Sequence, residues 1–319
     1  MASQAETPPF SSLPLKKDGP RGNAWGLHGP TDELGMLNRL TPQTTIAASK
    51  EIVHGVRVCT DWALDQPKVP GFGRAKFEHE IKNKEPRTVN DDEVKFNTQS
   101  STQWDGFRHF GYQDHKVFFN GCKPEDIENS HRIGINIWVE NGGVVGRGVL
   151  LDYKGWAESQ GIKSAVLDTT EITVEQLDAI ATAQGVKFQP GDILFVHSGY
   201  VRALEALAGD DAKNYAANPP PKAIGVKSGE AMVKWIWEKQ FAAVAGDMLA
   251  FEALPFQSTT HWLHEWLLAG WGMPIGELFD LEKLATECRR LNKWSFFFSS
   301  VPLNVPGGVA SPPNGVAIL

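Results

Sequence analysis

Two short apolar runs, 193–197 and 241–245, constrain the fold most. Gly191-Asp192 precedes the first, Ser198-Gly199 follows it, and Gly246-Asp247 follows the second. Apolar runs this short, fenced by turn residues and lacking polar alternation, predict strands buried on both faces. Helical patterns alternate with them. Thr173 with Gln176 three residues on opens a helix over 173–184 in the manner of a capping box. Val233, Ile236 and Trp237 share one face of a helix over 228–238. Buried strands alternating with amphipathic helices predict an α/β fold with a mixed sheet and flanking helices.

The rest of the chain fits that plan. Thr41-Pro42 starts a helix that Gly55 ends. Strands are expected over 56–63, 77–82, 93–98, 134–140 and 144–152, the last two divided by a Gly142-Gly143 turn. Helices over 261–269 and 281–291 and strands over 294–301 and 315–319 complete the set. Residues 1–22, rich in Pro and Ser without an apolar period, are expected as a flexible arm, and 23–319 as a single domain. Asn218-Pro219-Pro220-Pro221 reads as a stiff linker inside an irregular stretch.

Charge and cysteine content narrow the function. The net charge is −7, and no Lys/Arg-rich run is present, which excludes a nucleic-acid or anionic-lipid surface. Three scattered cysteines form no C-x-x-C pair, so neither a zinc knuckle nor a disulfide framework is expected. No hydrophobic leader or membrane-length apolar run is seen, and a cytoplasmic protein is expected. The 11 tryptophans and 17 phenylalanines supply core, and several flank polar candidates, as a pocket for a planar or aromatic small molecule would require.

The chemistry concentrates in Gln99-Ser100-Ser101-Thr102-Gln103-Trp104-Asp105-Gly106-Phe107-Arg108-His109. A carboxylate, an imidazole, a guanidinium and two amides within eleven positions are costly to bury unless they partner one another, so they mark a pocket. The segment is placed at a strand end or in the loop after it. Asp105 and His109 can bind a metal, activate water or shuttle a proton, or be a structural pair. His261 and His264 lie three apart on a helix, and the turn at Gly270–Pro274 brings Glu277 back towards them. Imidazole plus carboxylate suits zinc or manganese. Asp247 and Glu252 follow a buried strand, where α/β folds often bind ligands.

In order and spacing, a further set of landmarks resembles the metal-dependent cyclase family, which includes bacterial kynurenine formamidase and isatin hydrolase. They are Gly146-Arg147-Gly148-Val149-Leu150-Leu151-Asp152, Gly191-Asp192-Ile193-Leu194, the Gly246-Asp247 to Glu252 turn, and His264-Glu265-Trp266-Leu267-Leu268 with Glu277. Pro302-Leu303, Gly307-Gly308, Ala310-Ser311-Pro312 and Val316-Ala317-Ile318-Leu319 continue them to the end of the chain. Against the family signature H-x-G-T-H-x-D-x-P-x-H, Thr102, Asp105 and His109 match. Gln99 and Gln103 stand where two metal histidines belong, Ser101 replaces the glycine and Phe107 the proline.

The resemblance implies a swivelling β/β/α fold and a homodimer or homotetramer with sites near subunit contacts. It implies hydrolysis of a cyclic or aryl amide by metal-activated water. Asp105, His264 and Glu277 would hold a manganese or zinc ion, and His109 would act as general acid/base. Gln99 and Gln103 would be weak ligands or outer groups around the ion, or would contact substrate together with Trp104, Phe107 and Arg108. Two other readings stand beside it. One is a metal-free lyase, dehydratase or cyclase in which His109 works with Asp105 or Glu252. The other is a non-catalytic small-molecule binding protein.

Overall fold

A computed structural model describes residues 6–217 and 221–319. It contains thirteen strands: β1 (Arg57–Cys59), β2 (Glu78–Asn83), β3 (Asn90–Lys95), β4 (Gln103–Asp105), β5 (Val144–Asp152), β6 (Glu171–Ile172), β7 (Ile193–His197), β8 (Gly225–Val226), β9 (Ala243–Gly246), β10 (Ile275–Glu277), β11 (Ser295–Ser300), β12 (Ala310–Ser311) and β13 (Gly315–Ile318). Nine form one sheet in the order β1-β13-β11-β5-β7-β9-β10-β4-β12. Its centre, β5-β7-β9-β10, is parallel, and its flanks are antiparallel. This is the mixed sheet with flanking helices that the alternation of patterns predicts.

The parallel centre has the composition that two-sided burial demands. Every residue of β7 and β9 is buried, and no polar side chain interrupts them before His197. The helices Val174–Ala183 and Glu230–Lys239 bury Leu177, Ile180, Val233, Ile236 and Trp237, faces set by the 3.6-residue period. Thr173 and Gln176 make the expected capping box. Among the described residues, no helix is long and apolar enough to cross a membrane.

Several expected elements differ. Residues 134–140, expected as a strand, contain a short helix, Asn136–Glu140. Ile135 and Trp138 are both fully buried, and their spacing of three is a helical one. Gly142 and Gly143 both take positive φ (93° and 78°) and lead the chain from that helix into β5 rather than closing a hairpin. The strand expected over 93–98 ends at Lys95 and pairs only with β2, in a two-stranded hairpin apart from the main sheet. The polar cluster gains a strand of its own, β4, inside the main sheet rather than a place after β3. The helix expected over 261–269 is a π-helix, Glu265–Trp271. Of the proline-rich 218–221, residues 218–220 lie outside the described residues, as do 1–5 of the arm.

Candidate active site

Strand β4 sorts the polar cluster by alternation. Gln103 and Asp105 project to one face of the sheet and Trp104 to the other. Trp104 packs edge-on to Phe279 with ring centroids 5.1 Å apart, and its indole N–H donates to Ser300 Oγ at 2.9 Å. Opposite it on β10 stands Gly276, whose missing Cβ would lie 2.9 Å from the indole. On the other face, Glu277 of β10 stands directly across from Gln103. Register alone therefore brings Gln103, Asp105 and Glu277 together.

The amides link them. Gln103 Nε2 donates to Glu277 Oε2 at 2.7 Å, and Gln99 Nε2 donates to Asp105 Oδ1 at 2.5 Å. His264 arrives from the residue before the π-helix, an irregularity that often marks functional sites. Its Nε2 lies 3.1 Å from Glu277 Oε1 and 3.8 Å from Asp105 Oδ2. His109, four residues after Asp105, places Nε2 3.9 Å from the same Asp105 Oδ2. Of these groups His109 is the one with appreciable exposure, at 21% of its side chain.

Glu252 stands behind His264. Its Oε1 accepts from His264 N at 3.0 Å and from Nδ1–H at 2.7 Å. Its Oε2 accepts from Leu263 N at 3.0 Å and from the Ser228 hydroxyl. Four donors use the carboxylate fully, so Glu252 orients the imidazole instead of facing open space. Burial alone would lower the His264 pKa, but the bonds to Glu252 and Glu277 outweigh it and raise it to about 10. Burial raises Asp105, the Glu277 charge adds to that, and His109, His264 and the Gln99 bond oppose it.

The donor set fits a cation. With Nδ1–H committed to Glu252, His264 Nε2 faces Glu277 Oε1 at 3.1 Å and Asp105 Oδ2 at 3.8 Å, so positive charge is favoured between the ring and the two carboxylates, either as a proton on Nε2 or as a bound cation. Asp105 Oδ2 and Gln103 Oε1 are buried without a hydrogen-bond partner, a cost of about 1–3 kcal/mol each if left so. Ligand atoms of Asp105, His109 and His264 all lie within 4.8 Å of one another. Asp105 and His264 thus belong to both this trio and the triad that the sequence singled out, with Glu277 against His264 and His109 on the open side.

The remaining candidates are placed elsewhere. Phe107 is fully buried between Phe119 and Trp138. Arg108 donates to the carbonyls of Gly307, Ile127 and Ser130, tying the end of the helix Pro124–Asn129 to the loop at Gly307. His261 stacks on Trp266 at 5.3 Å and does not join the cluster. Asp247 caps Ser198, Gly199 and Tyr200 through their backbone N–H groups and binds the Ser198 hydroxyl. Phe110 and Phe256 lie 5.4 and 5.7 Å from the His264 ring, with Trp262 packed on both. Sequence reasoning missed Arg74, which reaches Gln99 from 25 positions upstream. No local pattern ties the two.

Comparison with known proteins agrees with this architecture. The Cyclase family model matches residues 38–253. No curated protein matches the chain in sequence. A crystal structure described as a novel cyclase superposes with a TM-score of 0.83 at 28% identity, covering 93% of this chain and 99% of that one. Isatin hydrolase A from Labrenzia aggregata, solved with benzyl benzoate, gives 0.60 at 17% identity, with 82% and 93% covered. An isatin hydrolase bound to the product analogue thioisatinate gives 0.59 at 13%, with 88% and 99% covered. The two isatin hydrolases share the fold. With more than half of its length matched by the family model, the chain belongs to the Cyclase family.

Proposed function

We propose that this protein is a hydrolase of a cyclic or aryl amide, working with a divalent manganese or zinc ion. The observation that carries the proposal is the bare, buried Asp105 Oδ2, faced by two imidazoles beside an aromatic wall. Asp105, His264 and Glu277 would hold the ion, with the Gln103 carbonyl oxygen free to face it. When bound, such an ion polarises a carbonyl and lowers the pKa of a coordinated water. Glu252 keeps the His264 imidazole aimed at the cluster. His109, on the open side, takes a proton from water and gives it to the leaving nitrogen. Phe110, Phe256 and Trp262 stack against a planar substrate and exclude water from it. Both isatin hydrolases of the same fold support a lactam-type substrate.

Metal analysis of untagged protein tests this, followed by assay of isatin and related lactams. Near-stoichiometric manganese or zinc is expected. His109→Ala should lose roughly 10²–10⁴-fold in kcat with metal content unchanged. Absence of metal after incubation with either ion would sink the proposal.

A second reading has one observation in its favour. The Gln99 and Gln103 amides already donate to Asp105 and Glu277, and a protonated His264 supplies the positive charge between the carboxylates. On that reading the enzyme is a metal-free lyase, dehydratase or cyclase, and turnover survives exhaustive chelation.

A further inference from the structure

The two glutamines raise a question that register does not answer: what decides which end of each amide faces the carboxylates? Gln99 Nε2 faces Asp105 Oδ1, and its Oε1 faces two cationic or amide donors. Arg74 Nη2 lies 3.4 Å from that oxygen, and Gln103 Nε2 lies 3.5 Å from it. A second guanidinium nitrogen, Nη1, donates to the Gln99 backbone carbonyl. The guanidinium also sits over the Phe72 ring, 4.9 Å from its centroid. Arg74 thus grips Gln99 at both ends of the residue.

We propose that Arg74 is a positioning residue that locks the Gln99 amide with its N–H groups towards Asp105. A flipped amide would set its NH₂ against the guanidinium and the Gln103 NH₂, and its oxygen against the Asp105 carboxylate. Both juxtapositions repel. With Arg74 in place, Gln99 is a donor that fixes Asp105 through Oδ1 and leaves Oδ2 bare. Gln99 is thereby withdrawn from the ligand set, while Gln103, whose Oε1 has no partner, stays available to it. The two glutamines are not equivalent, and a cation 25 positions upstream makes the difference.

The lock can be read in the metal-free protein, whatever the reaction. Selective ¹⁵N-glutamine labelling, with Gln99→Met to assign the signal, should show a Gln99 side-chain NH₂ protected from solvent exchange. Arg74→Met should abolish that protection, and Arg74→Lys should restore part of it. An unchanged NH₂ signal in Arg74→Met overturns the proposal.

The consequence for the ion rests on the proposed function and is read by Mn²⁺ titration calorimetry. Arg74→Met and Gln99→Met should each weaken binding roughly 10-fold, as loss of an outer contact to a ligand typically does. The double variant should be no weaker than Gln99→Met alone. Additive losses would mean that Arg74 acts by another route. No Mn²⁺ binding by the wild-type protein would overturn the hydrolase reading instead, and the amide signals would still decide the role of Arg74.

Discussion

Glu252 shows how one carboxylate can matter without touching the reacting atoms. It is fully buried and accepts four hydrogen bonds, two from backbone N–H groups, one from Ser228 and one from His264. Glu252→Gln keeps the shape but turns one acceptor into a donor facing donors. The expected cost is about 2–4 kcal/mol of stability in urea unfolding. Mn²⁺ affinity should fall on the order of 10–100-fold, because the imidazole loses its orienting bond. A variant as stable as the parent would show that the carboxylate is not the anchor described. At this scale the sequence was informative about residue type. Asp105, His109, His264, Glu277, Gln99 and Gln103 all meet, although the segments lie more than 150 positions apart. It was uninformative about direction. Trp104 and Phe107 lie among the site residues in sequence yet fill the core, because β4 alternates and the chain turns away after Gly106. Arg108 follows them to backbone carbonyls.

At the scale of elements, the carboxyl ends of β5 and β7 meet the start of the helix Glu282–Leu291 through His197. Its Nδ1 bonds Asp152 at 2.8 Å and its Nε2 bonds Glu282 at 3.2 Å. Burial alone would lower the His197 pKa, but the two carboxylates outweigh it and raise it from 6.5 to about 9. Bonding to His197 holds Glu282 at about 2 despite partial burial. Because the folded value for His197 exceeds the unfolded one, its stabilisation is complete below pH 6.5 and is lost as pH rises through 9. The gap corresponds to roughly 3 kcal/mol. Melting temperature should therefore decline between pH 6.5 and 9, and His197→Gln should make that decline shallower, leaving the share that His264 contributes. An equal slope in both proteins would remove His197 from the alkaline limb. Buried parallel strands such as β7 and β9 were legible because two-sided burial leaves an uninterrupted apolar run. Strands of two or three residues, β4, β10 and β12, were not, because their length is too short for any period and tertiary pairing alone defines them.

For the whole molecule, the described part of the N-terminal segment is where composition and packing diverge most. Pro- and Ser-rich residues without a period suggest a loose arm, yet 6–22 lie along the body. Phe10 stacks on Trp266, with ring centroids 5.9 Å apart. The Pro8 carbonyl accepts from the Trp237 indole at 2.8 Å, and Thr7 Oγ1 from Arg39. Single aromatic anchors spaced along an irregular segment leave no periodic signal, so the sequence could not show where they land. Trp266 is two residues beyond His264 on the π-helix that supports the site. Removing residues 1–12 would expose the Trp266 and Trp237 rings and orphan the Trp237 indole N–H. Burial of one aromatic ring and one hydrogen bond suggests a loss of about 3 kcal/mol. For a protein of this size that is on the order of 4–5 °C in melting temperature by calorimetry. Because Trp266, the partner of Phe10, sits on the π-helix that follows His264, the truncated protein should also bind Mn²⁺ more weakly at 25 °C, where it remains folded. A lower melting temperature with undiminished Mn²⁺ affinity would separate the two effects and confine the segment to bracing the fold. An unchanged melting temperature would mean that the anchored residues contribute nothing to stability, and Phe10→Ala would then be silent as well.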